Sequence, residues 1–304
     1  MTPPVAARSP LWSFCVIHDL HLGSSGTAVW NNRMLFDRAE PLLAAALAQW
    51  RADPPDFALL LGDLTDAGDR ESFGRLGERM RAAPCPLYPA VGNHDAVHHE
   101  SRQWLSEALP PPATEQGWIA YDFVHRGLAF VVLDVAWVDA DGREWPAYEA
   151  ATRPVGMTVP HELLSWLERR LEACAPLPTV VCLHYPLIPL REERLRRGAR
   201  DAGALHERER LLAVLRCHPH VRAVLAGHLH VAQVDRQCGI VHATGAALVE
   251  WPHAYRRFAV FADEVRVTTH SCADAATQAE SLIPGHEWAA GTADEQSFTI
   301  PLTG

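Results

Sequence analysis

The chain has 304 residues, of which 48% are hydrophobic and 21% are charged, and this is the usual balance of a soluble globular enzyme. Its formal net charge of −10 argues against a general nucleic-acid-binding protein, because such a protein presents a basic face. All 27 cationic residues are arginine. The absence of lysine excludes Schiff-base chemistry, pyridoxal phosphate catalysis and the phosphate-binding loop that uses a lysine. Abundant alanine, arginine and proline without lysine is typical of a GC-rich bacterial coding sequence.

The cysteine pattern and the N-terminus predict a cytoplasmic protein. The seven cysteines are scattered and form no C-x-x-C pair, which is typical of reduced thiols rather than a disulfide framework. The first residues, Met1 to Trp12, contain three prolines and lack the apolar segment of a signal peptide. The longest apolar run, Leu42–Ala48, is far too short to span a membrane.

Short apolar runs alternate with helical patterns along most of the chain. The predicted strands are Phe14–Ile17, Phe57–Leu61, Leu87–Val91, Leu128–Leu133, Thr179–Leu183 and Val221–Ala226. The predicted helices are Asn32–Trp50, with a kink or restart at Pro41, Arg70–Arg81, Ser101–Leu109, Pro160–Cys174 and Leu205–Arg216. This alternation indicates a layered α/β fold.

The C-terminal part of the chain has a different pattern. Closely spaced strands are predicted at Val231–Val234, Ile240–Thr244, Phe258–Phe261 and Val265–Thr269. Their short connections indicate an antiparallel section that closes a sheet. After Cys272 the composition changes, and we predict one domain over residues 1–272 followed by an extension over residues 273–304, either mobile or packed as a strap.

Clusters of Asp, Asn and His follow five of the predicted strands. They are His18-Asp19-Leu20-His21, Gly62-Asp63-Leu64-Thr65-Asp66, Gly92-Asn93-His94-Asp95, His184-Tyr185-Pro186 and Gly227-His228-Leu229-His230. Ligand sites of open α/β sheets lie at the carboxyl ends of the strands. A mixed set of imidazole and carboxylate ligands suits two borderline metal ions such as Fe, Mn or Zn. One carboxylate can bridge such a pair, and a hydroxide held between the ions is a nucleophile at neutral pH.

The ordered set D-x-H, G-D-x-x-D, G-N-H-D, H and G-H-x-H, from Asp19 to His230, resembles the calcineurin-like metallophosphoesterases. The resemblance implies a four-layer α/β/β/α sandwich with a dimetal site at one edge. It also implies the ligands: Asp19, His21 and His230 for the first metal, Asp63 as the bridge, and Asn93, His184 and His228 for the second.

Two further residues have roles that the resemblance implies. His94 is the histidine that does not bind metal and that stabilises the phosphoryl oxygens or protonates the leaving alkoxide. Asp66 is placed to hydrogen-bond His94 and to fix its tautomer. In the implied mechanism, the bridging hydroxide attacks phosphorus in line while the metals hold the equatorial oxygens.

Departures from the protein-phosphatase branch of this family favour a phosphodiester substrate. That branch has Arg after the second Asp of G-D-x-x-D and Glu after G-N-H, whereas this sequence has Ala67 and Asp95. A monoester dianion usually needs such a cation, and a diester carries one charge less. The pattern around Asp63 and Asn93 is similar to that of class III cyclic nucleotide phosphodiesterases and glycerophosphodiesterases. The expected partner is a small phosphate ester, with no nucleic-acid polymer and no membrane; a homodimer is left open.

The sequence also permits other functions. The same motifs suit a phosphomonoesterase or a nucleotide pyrophosphatase. A DNA nuclease is disfavoured by the net charge of −10 and the missing lysines. A non-catalytic scaffold is disfavoured because every ligand position is filled.

Several polar and aromatic residues near the motifs have a structural explanation as well as a functional one. We predict that Asp95 caps a loop and that His18 packs beside the motif. His98 and His99 are expected to lie at a solvated helix N-terminus, with substrate contact as the alternative. The run Arg191–Arg200 is expected to be a solvated face, with binding of a distal phosphate or nucleobase as the alternative. Trp30, Trp137 and Trp145 are candidate pocket residues.

Overall fold

The computed structural model describes residues 8–112, 114–115, 117–201 and 203–303. Its strands are β1 (Trp12–Ile17), β2 (Thr27–Val29), β3 (Arg33–Leu35), β4 (Phe57–Leu61), β5 (Leu87–Ala90), β6 (Tyr121–His125), β7 (Leu128–Val132), β8 (Ala136–Val138), β9 (Glu144–Trp145), β10 (Gly156–Thr158), β11 (Thr179–Cys182), β12 (Val221–Ala226), β13 (Gln233–Gln237), β14 (Ile240–Thr244), β15 (Ala254–Val260), β16 (Glu264–Ser271) and β17 (Ser297–Pro301). Its α-helices are α1 (Ala39–Ala52), α2 (Arg70–Met80), α3 (Ser101–Ala108), α4 (His161–Cys174), α5 (Glu192–Arg196), α6 (Arg208–Arg216), α7 (Ala275–Ser281) and α8 (Ala293–Gln296).

Two six-stranded sheets organise the described residues. The first has the order β17-β16-β15-β1-β4-β5, in which β1, β4 and β5 are parallel and the remaining pairs are antiparallel. The second has the order β13-β14-β12-β11-β7-β6, with four parallel central strands and an antiparallel strand at each edge. The strand ends that carry the polar clusters therefore belong to both sheets.

Aromatic side chains join the two sheets face to face. Phe14 of β1 stacks on Phe57 of β4 with ring centroids 5.1 Å apart, and each meets the edge of Phe130 of β7 at 5.2 Å. On the outer face of the first sheet, Trp50 of α1 packs against Tyr255 of β15. Helix α4 packs on β7 of the second sheet. Helices thus pack on the two sheets, and buried aromatic and aliphatic strand residues fill the interface between the sheets. The predicted α/β/β/α sandwich is confirmed.

The start of the first predicted helix is wrong. A helix was expected from Asn32, but residues 33–35 form β3, a 3-10 turn follows at Phe36–Arg38, and α1 begins at Ala39. The buried side chains of Met34 and Leu35 imitate helical spacing, yet the Leu35 N–H donates to the carbonyl of Val249 in a distant loop. Pro41 lies in the first turn of α1, where a missing N–H costs no helical hydrogen bond.

The C-terminal strands do not form the single antiparallel section that was expected. Strands β13 and β14 join the second sheet, where β14 is parallel to β12, whereas β15 and β16 join the first sheet. A crossing segment, residues 245–253, connects the two sheets. After Cys272 the chain forms α7 and α8 and then β17, which pairs with β16. The division after residue 272 stays a prediction, but the segment that follows contributes an edge strand. Among the described residues, no helix combines the length and apolarity needed to cross a membrane.

Candidate metal centre

The predicted site residues meet at one edge of the sandwich, where β1, β4 and β5 of the first sheet and β11 and β12 of the second sheet end. Three overlapping groups of side chains are present, and within each group the ligand atoms lie within 4.8 Å of one another. The groups are Asp19, His21 and His230; His21, Asp63 and His94; and Asp63, His184 and His228. The structure thus brings together side chains that are far apart in sequence.

Asp19, His21 and His230 form what we call the first position. The Nε2 atom of His230 lies 3.2 Å from Nε2 of His21 and 3.6 Å from Oδ1 of Asp19. The Nδ1 atoms of both imidazoles contact carboxylates, so in the neutral rings the two Nε2 lone pairs face each other. Facing lone pairs repel, whereas a cation about 2.1 Å from each nitrogen satisfies both. The geometry therefore fits a metal ion.

Asp63, His184 and His228 form what we call the second position, so Asp63 lies between the two positions. Oδ2 of Asp63 is 3.2 Å from Nε2 of His184 and 3.7 Å from Nε2 of His21. Within the described part of the chain, the buried Oδ1 atom of Asn93 has no hydrogen-bond partner. An unpaired buried acceptor costs about 1–3 kcal/mol, so this oxygen also suits a cation.

Each of three imidazoles is held through its Nδ1 atom. Nδ1 of His21 lies 2.9 Å from Oδ1 of Asp66, and Nδ1 of His230 lies 2.7 Å from Oε2 of Glu250. Nδ1 of His184 donates to the carbonyl of Leu61 at 2.9 Å. Fixing Nδ1 as the donor leaves the Nε2 lone pair for a metal ion, which is the usual way in which a protein orients imidazole ligands.

Asp66 has a different main partner from the expected one. Its carboxylate bonds His21 and the Ser24 hydroxyl, and its Oδ1 atom is 3.4 Å from Nδ1 of His94. The hydrogen bond of His94 Nδ1 is to the backbone carbonyl of Asp66, at 2.8 Å. Asp66 therefore fixes the His94 ring through its main chain, while its side chain supports a candidate ligand.

The electrostatics of the cluster favour bound cations. Burial opposes ionisation of Asp63, but the imidazoles of His184 and His94 hold the pKa of its carboxyl well below the usual range. Burial disfavours a charged His184, yet the Asp63 carboxylate raises the pKa of this imidazole to about 9. Burial lowers the pKa of His230 to about 4, so this ring is neutral at pH 7, whereas His184 would release its proton when a metal ion binds.

Strained turns aim several of these side chains. Candidate ligands with positive φ angles are Asp19 (50°), His21 (45°), Asp63 (47°), His228 (71°) and His230 (54°). Side chains other than glycine rarely adopt this region, and such strain is concentrated at functional sites. At Gly92, a Cβ atom would lie 2.1 Å from Oδ1 of Asp63, so a glycine is required for this close approach.

The structure settles the interpretation of several neighbouring residues. Asp95 caps a loop as predicted, because its carboxylate accepts from the backbone N–H groups of Leu64, Thr65 and Gly92. His18 is buried beside the motif, in agreement with a packing role. His99 is exposed and pairs with Glu149.

The arginine run 191–200 divides into structural, solvated and site-facing residues. Arg191 and Arg194 pair with Glu295 at 2.9 and 2.5 Å. Arg196 is exposed and pairs within its own helix. The guanidinium of Arg200 lies 5.3 Å from the ring centre of Trp30, whose ring centroid is 6.3 Å from that of His230. In contrast, Trp137 donates its indole N–H to the carbonyl of Ala96.

Glu250 is a residue of the site that no sequence motif predicts. It is fully buried in the crossing segment, beyond the last motif. A single glutamate in an apolar stretch offers no spacing signal. Its partner His230 identifies it only when the fold is known.

Comparisons with known proteins agree with this geometry. A family model described as calcineurin-like phosphoesterase matches residues 13–232. A probable cyclic nucleotide phosphodiesterase of Synechococcus sp. is 27% identical over 240 residues, covering 77% of this chain and 80% of the relative. A glycerophosphodiester phosphodiesterase of Enterobacter lignolyticus is 25% identical over 178 residues, covering 58% of this chain and 56% of the relative.

A solved structure shows the same architecture. The dimetal phosphatase from Danio rerio superposes with a TM-score of 0.68 at 17% identity, covering 97% of this chain and 100% of that one. At this identity the likeness concerns the fold alone. The family model, in contrast, extends over most of the chain and includes every candidate ligand. The chain therefore belongs to the calcineurin-like phosphoesterase family, as its motifs predicted.

Proposed function

We propose that this protein is a binuclear metal-dependent phosphodiesterase that hydrolyses small phosphodiesters of the cyclic nucleotide or glycerophosphodiester type. The observation that carries the proposal is the convergence of buried oxygen and nitrogen donors on two adjacent positions that share Asp63. Two features support bound cations. The Oδ1 atom of Asn93 is buried without a hydrogen-bond partner among the described residues, and the Nε2 atoms of His21 and His230 face each other.

In this proposal Asp19, His21 and His230 hold one ion, Asn93, His184 and His228 hold the other, and Asp63 bridges them. Fe, Mn and Zn all suit this mixture of imidazole, carboxylate and amide donors. When bound, two such ions neutralise charge on the phosphoryl oxygens and activate water at neutral pH.

His94 acts on the leaving group in this proposal. Its side chain is 40% exposed, in contrast to the buried imidazoles of His21 and His184. Because Nδ1 is fixed by the carbonyl of Asp66, Nε2 is the atom left to face substrate. In its protonated form this atom donates a proton to the departing alkoxide oxygen.

Three observations support a diester. The named relatives include a probable cyclic nucleotide phosphodiesterase and a glycerophosphodiester phosphodiesterase. The position after the second Asp of G-D-x-x-D is Ala67, which supplies no cation for a monoester dianion. Asp95 is occupied by three backbone N–H groups and is therefore withdrawn from substrate. The net charge of −10 favours small substrates over nucleic-acid polymers.

The proposal includes a cytoplasmic location. All seven cysteines lie within the described residues, and none forms a disulfide. A scattered set of unpaired thiols suits a reducing compartment. Fractionation of the native cells, followed by detection of the protein in the soluble fraction, tests this part of the proposal.

The test is a pair of assays run beside elemental analysis. Purified protein with added Mn²⁺ is assayed on bis-p-nitrophenyl phosphate and on p-nitrophenyl phosphate, and then on 3′,5′-cyclic AMP and glycerophosphocholine. We expect about two metal ions per chain and faster hydrolysis of the diester. Faster hydrolysis of the monoester would replace the diesterase by the phosphomonoesterase alternative. A protein that takes up no metal would favour the alternative hypothesis of a non-catalytic scaffold.

A further inference from the structure

Glu250 supports a candidate metal ligand from outside every sequence motif. It lies between β14 and β15, beyond residue 232, where the match to the family model ends. The residue is 0% exposed, and its Oε2 atom is 2.7 Å from Nδ1 of His230. On the other side of the same ring, Nε2 of His230 faces Asp19 and His21. The imidazole is therefore held between a buried carboxylate and the first position.

The second oxygen of Glu250 connects the site to the C-terminal part of the chain. Oε1 accepts a hydrogen bond from the backbone N–H of Asn32. The side-chain oxygen of Asn32 accepts from the N–H of Ile283 at 2.8 Å. Next to Glu250, the N–H of Trp251 donates to the hydroxyl of Ser281 at 2.8 Å. The hydroxyl of Ser281 in turn donates to the carbonyl of Arg33.

These contacts form a clamp, which we define as residues 281–286. The clamp bonds the chain beside Asn32 and the chain beside Glu250, two segments that are far apart in sequence. Both segments are needed to place the carboxylate of Glu250 behind His230. Within the clamp, Ser281 is fully buried, so its bonds are shielded from water.

We propose that Glu250 is a positioning residue for the metal ion at the first position and that the clamp, residues 281–286, holds Glu250 in place. This inference rests on the proposed function, because it needs His230 to be a metal ligand. A carboxylate that accepts from Nδ1 fixes the tautomer and the orientation of the ring and strengthens its Nε2 atom as a donor. The C-terminal segment then acts on the metal centre through two hydrogen-bonded links.

The matched variants are Glu250→Gln, Glu250→Ala and the control Glu295→Gln. Glu295 is another buried glutamate of the C-terminal half, but it pairs with Arg194 and Arg191, and within the described part of the chain no bond joins it to a candidate ligand. Glu295→Gln therefore reproduces the loss of a buried carboxylate and its cost in stability. Glutamine at position 250 can still accept a hydrogen bond from His230, but it lacks the charge and places an amide NH2 where an oxygen accepts from Asn32, whereas alanine removes both contacts.

The measurement is titration of the metal-free full chain with Co²⁺, followed by the visible absorption spectrum and by metal analysis. We expect two binding steps in the parent protein. Glu250→Ala should weaken one step by about 10–100-fold and change the spectrum of that ion, the scale on which removal of a residue that orients a ligand acts. Glu250→Gln should lie between the parent and Glu250→Ala, and Glu295→Gln should match the parent in both readouts.

The outcomes distinguish a failure of the positioning role of Glu250 from a failure of the proposed metal site. If the parent binds two Co²⁺ ions and both Glu250 variants keep its affinities and spectrum, the positioning role is wrong and the metal site stands. If Glu295→Gln weakens the same step as much as Glu250→Ala, the effect is general destabilisation and the positioning role is also wrong. If the parent binds no Co²⁺, the proposed function itself fails. Should Glu250→Ala not fold, Glu250→Gln decides by the same criteria.

Discussion

His21 and His230 of the first position differ from His184 of the second position in the partner of Nδ1. At the first position, His21 and His230 both contact carboxylates through Nδ1, at 2.9 and 2.7 Å. At the second position, His184 donates to the neutral carbonyl of Leu61, and the proposed third ligand, Asn93, would supply a neutral amide oxygen. Asp63 is shared between the two.

The difference shows how one site can hold two similar ions with unequal strength. A carboxylate behind an imidazole makes its Nε2 atom a stronger donor than a carbonyl does. The first position also contains the carboxylate of Asp19, whereas Asn93 adds no charge to the second. We therefore expect the ion at the first position to be held more tightly and to be the last removed by a chelator.

The largest effect is expected from Asp63→Ala, which removes the residue that the two positions share. Both ions lose a ligand, and the backbone N–H of His94 loses its acceptor. Turnover of bis-p-nitrophenyl phosphate should fall by about 10³-fold or more, the scale found when a group that organises a whole site is removed. Metal analysis should find neither ion retained at stoichiometric level.

Asp69→Ala is the control for Asp63→Ala. Asp69 caps α2 through the N–H of Ser72, so its loss should cost about 1 kcal/mol of stability and leave metal content unchanged. If the Asp63→Ala protein retained two ions, Asp63 would not be the bridging ligand, and the two positions would not be coupled through it.

His94→Ala tests whether His94 acts on the substrate without being a metal ligand at either position. The ring of His94 is 4.6 Å from that of His21, and its Nδ1 atom bonds the carbonyl of Asp66. We expect kcat to fall by about 10²–10⁴-fold, the usual contribution of a general acid, with two ions still bound. The exposed His99, changed to alanine, should keep the activity of the parent. A loss of metal together with activity would instead make His94 a ligand.

Asn93→Ala separates the two positions directly. In the proposed ligand set its Oδ1 atom belongs to the second position alone, so we expect one ion to be lost and the other to stay. Turnover should fall by about 10–100-fold at limiting metal and recover in part with excess Mn²⁺, because only affinity is impaired. Metal analysis after gel filtration measures the number of ions retained. Equal loss of both ions would show that the positions do not bind independently.

The parts of the site that the sequence predicts are local in the chain. Each motif follows its strand directly, and parallel strands bring their carboxyl ends to one edge, so Asp19, Asp63 and Asn93 meet without further information. The central strands were predicted within a residue or two of their ends, since they are short apolar runs between turns.

The supporting contacts are long-range and escaped prediction for that reason. Glu250 bonds Asn32 across 218 residues and has no motif of its own. The helix expected from Asn32 begins only at Ala39, because Leu35 bonds the crossing segment that carries Glu250. Likewise, the division of the C-terminal strands between two sheets depends on pairing partners that no local pattern reveals.

The smallest effect is expected from Arg200→Ala, which tests whether the side of the first position also selects the substrate. The guanidinium of Arg200 lies over Trp30, next to His230, and a cation–π contact at an exposed site is worth about 0.5–1 kcal/mol. We expect KM for 3′,5′-cyclic AMP to rise by about 2–5-fold with unchanged metal content, because the exposed cation that Trp30 holds beside the site no longer attracts the phosphodiester anion, an interaction worth about 0.5–1 kcal/mol. Arg196→Ala is the control, because Arg196 pairs with Glu192 on the same run and faces solvent. Equal KM values in the two variants would exclude Arg200 from substrate binding and would restrict the asymmetry of the two positions to their metal ions.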